Sequence, residues 1–331
     1  MNLVERLQPE LDQLVPANAK LEQVATGPGF KWTEGPVWIP RGFLLFAEIP
    51  SNSIYKWTPD GHLTLFMQPS GYKGTQPYGG PEPGSNGMTL DAQGRLTVAG
   101  HANRSVWRME TMDQQRNGAI TVLAESYRGK RLNSPNDLVY KSDGSLYFTD
   151  PPYGLRTQSD TDPEKQLTVN GVYRLADALR HPAGAAPEAE KLELLTGDLT
   201  RPNGIAFSPD EKYLYVNNSD PQKKIWMRYP VKPDGTLGAG SLFGDATSDN
   251  APGAPDGMKV DVQGNVYSTG PGGIWILSPE GKHLGTIRTP VRAGNLAFGD
   301  ADRKTLYITA SANLYRVRVN VAGVSVPIKN H

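Results

Sequence analysis

The chain has 331 residues, and its 34 Lys and Arg residues balance its 34 Asp and Glu residues. A formal net charge of zero argues against a general nucleic-acid binder and against polybasic attachment to a membrane. No apolar run approaches the ~20 residues that a membrane span needs. The sequence contains no cysteine, which excludes disulfides, thiolate catalysis and iron–sulfur clusters.

The first twenty residues precede the repeats described below, so we expect an N-terminal extension of residues 1–20 before one domain of residues 21–331. Apolar residues at positions 3, 4, 7, 11 and 14 predict a helix near Leu3 to Leu14. The segment lacks the apolar core of a signal peptide. The sequence therefore leaves the compartment open between the cytoplasm and, if a signal peptide has been removed, the periplasm.

One pattern recurs along the chain: a small or polar pair, an apolar alternation, a turn and a second alternating stretch. Its six copies begin at Glu34, Asn86, Asn136, Asn203, Asp256 and Gly294. A third stretch in every copy carries an aromatic residue at the same place, namely Tyr55, Trp107, Tyr173, Trp226, Trp275 and Tyr315. Six such units predict an all-β fold, a six-bladed β-propeller. We expect the segment from Leu21 to Val24 to pair with the last blade and close the ring.

Two connections in this pattern are unusually long. Residues 68–85 are rich in Gly and Pro, and residues 151–190 form an insertion rich in Pro, Ala, Gly and charge. Long loops in compact domains are more often functional than accidental. We therefore predict that residues 68–85 shape substrate choice rather than the fold, with Tyr72 and Tyr78 suited to cover a sugar ring. The alternative is a mobile surface loop without substrate contact.

The innermost strand of every blade lines the channel of a propeller, so the first residues of the six copies should form one ring. Two carboxylates and three side-chain amides in this ring are hard oxygen donors of the kind that Ca²⁺, Mg²⁺ or Mn²⁺ prefers. The alternative is ordinary turn chemistry, because Asn-Gly is a common turn pair. Turn chemistry leaves unexplained why Glu34 and Asp256 replace asparagine.

Several stretches together resemble the SMP-30/gluconolactonase/LRE family of six-bladed propellers, over roughly residues 20–320. They are Glu34-Gly35-Pro36-Val37-Trp38, Ser134-Pro135-Asn136-Asp137, Thr149-Asp150-Pro151-Pro152-Tyr153-Gly154, Arg201-Pro202-Asn203-Gly204-Ile205-Ala206-Phe207-Ser208 and Pro255-Asp256-Gly257-Met258. The second-blade segment His101-Ala102-Asn103-Arg104 is similar to one in the bacterial gluconolactonases of this family.

The resemblance implies a metal site and a general base. Its ligands would be Glu34, Asn203 and Asp256, with Asn136 either a fourth ligand or a substrate contact, and Asp256 would be the base. The implied cofactor is one divalent cation, Ca²⁺ in the first place and Mg²⁺, Mn²⁺ or Zn²⁺ as alternatives.

Recognition of the sugar must differ from that in the animal members of the family. Their Arg-x-Asn substrate motif is altered in this chain, since Ser134 stands two residues before Asn136. Other side chains would then contact the substrate, and the candidates are Asn86, Asn136, His101, Arg104 and Tyr153. His101 has inter-blade packing as its alternative role.

Asp150 also has two interpretations. It could cap the end of a strand, or it could form a second cation site, which Asp137 could serve as well.

These observations predict a metal-dependent lactonase that hydrolyses an aldonolactone, such as gluconolactone, to its acid. The partner is then a small-molecule lactone, with no nucleic acid and no membrane, and the protein is a monomer or a weak homo-oligomer. No Gly-x-Ser-x-Gly nucleophile motif occurs in the chain. Three alternatives stay open: a hydrolase of other lactones or aryl esters, a propeller like the strictosidine-synthase relatives that needs no metal, and a non-catalytic ligand-binding propeller of the NHL type.

Overall fold

The structure is a computed structural model that describes residues 3–112 and 118–325. Six antiparallel sheets of four or five strands follow one another along the chain, each built mainly from consecutive strands. This arrangement confirms the six-bladed propeller that the repeats predict. We number the blades 1 to 6 in the order of their innermost strands.

The strands of the first three blades, in order from the channel outward, are as follows. Blade 1 contains Thr33–Ile39, Phe43–Glu48, Ser53–Trp57 and Leu63–Met67. Blade 2 contains Ser85–Leu90, Leu96–Gly100, Ser105–Met109 and Ile120–Ala124. Blade 3 contains Leu138–Tyr140, Leu146–Asp150, Gly171–Leu175 and Leu192–Thr196.

The second half of the propeller repeats the same order. Blade 4 contains Pro202–Phe207, Tyr213–Asn218, Ile225–Pro230 and Ser241–Asp245. Blade 5 contains Met258–Val260, Val266–Gly270, Gly273–Leu277, His283–Arg288 and Val4–Arg6. Blade 6 contains Ala293–Gly299, Thr305–Ala310, Asn313–Arg318 and Glu22–Thr26.

Few other regular elements occur in the described residues. A small hairpin pairs Ser126–Tyr127 with Lys130–Arg131, and one α-helix spans Leu11–Leu14. Two 3₁₀ helices, Ala178–Arg180 and Ala189–Lys191, lie in or just after the insertion. No helix among residues 3–112 and 118–325 is long and apolar enough to cross a membrane.

The ring is closed by a strand from the beginning of the chain. Glu22–Thr26 pairs antiparallel with Asn313–Arg318 and forms the outer strand of blade 6. The expected pairing of this segment with the last blade is therefore confirmed. The first and last parts of the chain complete one blade together, which joins the two ends of the ring.

The N-terminal extension differs from its sequence prediction. Only Leu11–Leu14 is helical, whereas Val4–Arg6 is a strand that pairs with His283–Arg288 as the fifth strand of blade 5. Leu11 and Leu14 are buried in a core cluster shared by blades 5 and 6. The free edge of blade 5 offers backbone hydrogen bonds to the extension, and this outweighs the apolar spacing that favoured a longer helix.

Aromatic residues of the third strands fix the blades against one another. Five of the six are buried, at 0–7% exposure, namely Trp107, Tyr173, Trp226, Trp275 and Tyr315. Trp226 of blade 4 stacks on Trp275 of blade 5 with ring centroids 5.3 Å apart. Such large buried rings contribute much of the apolar burial between sheets and hold the inner strands at fixed positions.

Candidate active site in the central channel

The first residues of the six repeats come together around the channel. Glu34, Asn86, Asn136, Asn203 and Asp256 all line one cavity of about 590 Å³. Each of these side chains is at most 8% exposed. The sixth position is Gly294, where a Cβ atom would lie 2.5 Å from Glu34 Oε1. Glycine at that position therefore leaves room for the carboxylate.

Irregularities in the inner strands aim these side chains at the channel. The register of pairing shifts between Glu34 and Val37 in blade 1 and between Pro202 and Ile205 in blade 4. Blades 2 and 6 have the same kind of shift at their ring positions. A β-bulge rotates the local backbone and re-aims a side chain. In these four blades the ring position therefore lies at an irregularity within the inner strand and not in a turn between strands.

Glycines after the ring positions allow the inner strands to approach closely. A Cβ on Gly204 would lie 2.1 Å from the carbonyl oxygen of Asp256. A Cβ on Gly35, whose φ is +51°, would lie 2.1 Å from the carbonyl oxygen of Asn86. Neither position has space for a side chain, so these glycines allow the inner strands of neighbouring blades to lie close together at the ring.

The two carboxyl groups of the ring are held in a setting that favours their protonated forms. Burial raises the pKa of Glu34 well above its usual range, and the negative charge of Asp256 raises it further. Burial likewise raises the pKa of Asp256 to about 7. The charge of Arg292 opposes this shift in pKa, while Glu82 and Asp137 add to it. A positive charge in the cavity would stabilise the ionised forms of both acids.

Two oxygen atoms of the ring, Glu34 Oε1 and Asn203 Oδ1, are buried and accept no hydrogen bond of normal geometry from the described residues. The side-chain amide of Asn295 lies close enough to Glu34 to oppose the rise in its pKa. The other carboxylate oxygen of Glu34 accepts the backbone N–H of Gly35 at 2.7 Å. Buried acceptors without donors are costly unless a ligand, an ion or water completes them. Their presence beside a second carboxylate, Asp256, fits a divalent cation that prefers oxygen ligands.

Such a cation would depend on amide oxygens as well as carboxylates. Within residues 3–112 and 118–325, no three His, Cys, Asp or Glu side chains are grouped as a metal site. Glu34 and Asp256 would supply the charged ligands, and Asn203 and Asn136 the neutral ones. An all-oxygen set with two carboxylates suits Ca²⁺, Mg²⁺ or Mn²⁺ better than Zn²⁺, which favours nitrogen and sulfur.

The three other sequence candidates for substrate contact occupy different places. Tyr153 lines the cavity, and its hydroxyl lies 2.7 Å from Ser219 Oγ. Burial raises the pKa of Tyr153 to about 12, so the hydroxyl keeps its proton at neutral pH and can donate a hydrogen bond. His101 is fully buried behind the ring, with Nε2 3.4 Å from Asn136 Nδ2.

Arg104 does not reach the cavity lining. Its guanidinium donates to the carbonyl oxygens of Leu132 at 2.8 Å and Glu164 at 2.9 Å. The side chain is only 4% exposed. The structure therefore places Arg104 between loops, where it holds main-chain carbonyls.

Asp150 caps the backbone. Its Oδ2 and Oδ1 accept the backbone N–H groups of Asn133 and Ser134, each at 2.7 Å. Burial raises its pKa to about 7. Both oxygens are thus occupied, which agrees with the strand-capping interpretation. Asp137 differs, because its buried Oδ2 accepts no hydrogen bond from the described residues and lies 3.8 Å from Lys259 Nζ.

The loop of residues 68–85 lines the cavity, but not with the two tyrosines that the sequence suggested. Pro81 and Glu82 line the cavity, whereas Tyr72 and Tyr78 are not among its lining residues. Tyr78 is buried, packs against Tyr72 and donates its hydroxyl to the carbonyl oxygen of Gly154. Tyr78 therefore joins the loop to the insertion, so the loop contributes to the fold as well, and neither tyrosine lines the cavity.

Some residues that line the cavity were not predicted from the sequence, although the repeat contains a signal for three of them. Trp32, Arg201 and Arg292 each stand two residues before a ring position in the repeat. That shared offset places them together at the cavity, with the Arg292 guanidinium 5.0 Å from the Trp32 ring. Gln158, Ser219 and Lys224 also line the cavity, but they lie at irregular positions that no repeat could indicate.

A second depression, of about 700 Å³, lies at the outer edges of blades 3 and 4. Residues of the small hairpin, the outer strand of blade 3 and Leu237 line it. It contains none of the ring residues. The chemistry of the ring therefore assigns the functional site to the smaller cavity in the channel.

Comparison with known proteins identifies the family of the chain. The family model described as SMP-30/Gluconolactonase/LRE-like region matches residues 32–312. A gluconolactonase from Zymomonas mobilis is 39% identical over 329 residues, which cover 97% of this chain and 87% of that protein.

Solved structures show the same relationship. A gluconolactonase from Xanthomonas campestris matches with a TM-score of 0.77 and 28% identity, covering 96% of this chain and 94% of that one. A calcium-binding regucalcin from Agrobacterium tumefaciens shares the fold with a TM-score of 0.69 at 17% identity, covering 93% of this chain and 97% of that one. The chain belongs to the SMP-30/gluconolactonase/LRE-like family of β-propellers.

Proposed function

We propose that this protein is a lactonase of the gluconolactonase type that depends on one divalent cation, with Ca²⁺ as the first candidate. One observation carries the proposal. Glu34 Oε1 and Asn203 Oδ1 lie buried beside the carboxyl group of Asp256, and neither accepts a hydrogen bond of normal geometry from residues 3–112 and 118–325. The names of the relatives support a lactone substrate, since gluconolactonases from two bacteria match nearly the whole chain.

Glu34, Asn203 and Asp256 would hold the cation, with Asn136 as a fourth ligand or a contact to the substrate. A bound divalent cation polarises a carbonyl oxygen and stabilises the negative charge that develops there. The two carboxyl groups would lose their protons when the cation binds, because a positive charge lowers the pKa of neighbouring acids. Binding of the cation would therefore favour the ionised form of Asp256, which is the form that can accept a proton.

Asp256 would act as the general base. Its carboxylate takes a proton from a water molecule, and the water oxygen forms a bond to the lactone carbonyl carbon. The ring C–O bond then breaks, and the proton returns to the departing ring oxygen. The product is an open-chain hydroxy acid, ionised at neutral pH.

The cavity lining supports a polar substrate that becomes an anion. Asn86, Tyr153, Gln158 and Ser219 offer hydrogen bonds to hydroxyl groups, and the indole of Trp32 offers a flat apolar face. Arg292 would attract the carboxylate product, because no ion pair of its guanidinium occurs among the described residues. These features favour a sugar lactone over a lipophilic lactone or an aryl ester.

The proposal is tested by removing the cation and changing the substrate. Protein stripped with a chelator should lose turnover of gluconolactone and regain it on addition of Ca²⁺, Mg²⁺ or Mn²⁺. A panel of sugar lactones, aliphatic lactones and aryl esters should show the highest kcat/KM for a sugar lactone. Full activity in the chelator, or a preference for aryl esters, would overturn the proposal.

A further inference from the structure

His101 lies directly behind two amide groups of the ring. Its Nε2 atom is 3.5 Å from Asn86 Nδ2 and 3.4 Å from Asn136 Nδ2. On the other side of the imidazole, Nδ1 is 2.9 Å from Glu82 Oε2. His101 itself is 0% exposed and is not among the residues that line the cavity. It can therefore act on the site only through its neighbours.

The partners of the imidazole define its hydrogen-bonding roles. Glu82 Oε2 lies at ion-pair distance from Nδ1, although the contact does not have hydrogen-bond geometry in this structure. A carboxylate can only accept, so this proximity favours a proton on Nδ1. The unprotonated Nε2 is then an acceptor, which matches the Nδ2 donors of Asn86 and Asn136. Each amide that turns its nitrogen toward His101 turns its Oδ1 away from it. With Nε2 as the acceptor, His101 would hold both amides in this orientation.

Both long loops of the chain converge on this imidazole. Glu82 belongs to the loop of residues 68–85, and its Oε1 accepts from Gln158 Nε2 at 2.9 Å. Gln158 lies in the insertion, where it also donates to the carbonyl oxygen of Tyr153 at 3.0 Å. Gly154 packs so tightly on His101 that a Cβ there would lie 2.7 Å from Cγ of the imidazole. A continuous set of contacts therefore runs from both loops to the ring.

We propose that Glu82 and His101 form a positioning pair that orients the amides of Asn86 and Asn136 and so couples both long loops to cation binding in the ring. The effect on cation binding rests on the function proposed above. The orientation of the amides does not, because it is a property of the metal-free protein. Groups that orient metal ligands in this way typically contribute 10- to 100-fold to metal affinity.

The first test examines the metal-free protein by ¹⁵N NMR of the histidine side chains. We expect His101 to carry its proton on Nδ1, with Nε2 unprotonated, and we expect Glu82→Leu to abolish that preference. The side-chain amide signals of Asn86 and Asn136 should shift in the same variant. A proton on Nε2 in the unmodified protein would overturn the positioning pair.

The second test measures binding of Ca²⁺ to chelator-stripped protein by calorimetry. His101→Leu and Glu82→Leu should weaken the Kd by roughly 10- to 100-fold, and His101→Gln, which retains an acceptor, should recover part of the loss. The matched controls are His62→Leu and Glu193→Leu, since these side chains are 79% and 46% exposed.

Melting temperatures of the metal-free variants separate positioning from folding. If buried His101→Leu fails to fold, Glu82→Leu decides, because that side chain is 21% exposed. An unchanged Kd in a folded Glu82→Leu variant would overturn the coupling. Unmodified protein that binds no divalent cation would overturn the proposed function, and the NMR result alone would then decide the positioning pair.

Discussion

The negative charge of Asp256 raises the pKa of Glu34, although the two residues come from the fifth and the first blade. Ionising two buried acids in one cavity costs free energy unless a positive charge lies near them. The divalent cation proposed above would supply that counter-charge, so the repulsion that destabilises the metal-free ring would favour the cation-bound form.

Replacement of Asp256 by asparagine should abolish activity while the fold survives. The change is nearly isosteric, and it removes both the proposed base and the charge of one proposed ligand. Loss of a general base alone typically lowers the rate by roughly 10²- to 10⁴-fold. Steady-state kinetics on the best lactone, with circular dichroism of the same sample, measures both effects.

The control for Asp256→Asn is Asp177→Asn, because the side chain of Asp177 is 55% exposed. The backbone of Asp177 is left-handed, and asparagine tolerates that conformation. Turnover near that of the unmodified protein in Asp256→Asn would remove Asp256 from the mechanism.

In the absence of metal, the Asp256→Asn variant should become more stable than the unmodified protein as the pH rises. The pKa of Asp256 is raised to about 7 in the folded state, against about 3.9 in the unfolded chain. The folded state therefore holds a proton that is lost as the pH rises toward 7, and the stability of the unmodified protein falls over that range relative to the variant.

The measurement is denaturant unfolding in the presence of a chelator, at several pH values from about 4 to about 8, which bracket the two pKa values. Above neutral pH the variant should be more stable by at least about 1 kcal/mol, because one pKa unit corresponds to about 1.4 kcal/mol. Saturating Ca²⁺ should reverse the order, since the unmodified protein binds it more tightly. An equal effect of the substitution at every pH would show that the pKa of Asp256 is not raised.

Gly204→Ala should damage the site far more than an ordinary Gly→Ala change. Its Cβ would lie 2.1 Å from the backbone oxygen of Asp256 and 2.8 Å from Asn217 Nδ2. The inner strands of blades 4 and 5 would have to separate, and overpacking of this kind costs about 1–3 kcal/mol or more. The melting temperature and kcat/KM should both fall.

Gly238→Ala is the matched control for Gly204→Ala. The nearest atom to a Cβ at Gly238 is a side-chain carbon of Pro230 at 3.4 Å, which is ordinary contact. A wild-type melting temperature and activity in Gly204→Ala would refute the close approach of the strands.

Arg292→Gln should weaken binding of the acid product. The guanidinium lines the cavity, lies over Trp32, and opposes the rise in the pKa of Asp256. A hydrogen bond to a charged group is worth about 1.5–3 kcal/mol, so the inhibition constant of the aldonate product should rise by about tenfold or more. The pKa of Asp256 in the metal-free variant should rise as well.

Inhibition assays across a series of aldonates measure the effect of Arg292→Gln. Arg180→Gln serves as the control, because that side chain is 79% exposed and belongs to the insertion. Unchanged product inhibition in Arg292→Gln would place the carboxylate elsewhere in the cavity.

Shortening the loop within residues 71–81 to a Gly-Ser linker should change both lactone preference and stability. The loop contributes Pro81 to the cavity, and Tyr78 joins it to the insertion through a buried hydrogen bond. Losing one such bond costs about 1 kcal/mol, so the melting temperature should fall. The ratio of kcat/KM between lactones should change because Pro81 is removed.

The milder variant Tyr78→Phe separates the two effects of the loop. It should lower the melting temperature and leave the ratio of kcat/KM unchanged, since Tyr78 does not line the cavity. An unchanged ratio in the shortened loop would show that the loop does not contribute to substrate choice.

The sequence alone determined the blade count and the ring. Hairpin repeats are local patterns of alternation and turn residues, and a closed propeller places equivalent positions at equivalent radii. For that reason Glu34, Asn86, Asn136, Asn203 and Asp256 could be assigned to one channel before any contact was known. The strand that closes the ring was predictable for the same reason.

Tertiary structure decided what no repeat encodes. The pairing of Val4–Arg6 with blade 5 depends on a free sheet edge far away in the sequence. Glu82 reaches His101, and Tyr78 reaches Gly154, only because two irregular loops fold over the same face. Arg104 resembled a substrate contact in sequence, yet its guanidinium binds main-chain carbonyls of Leu132 and Glu164. Loop paths depend on long-range packing, so the sequence predicts the ring and the positions at a fixed offset from it, whereas the contacts made by the two long loops could not be predicted.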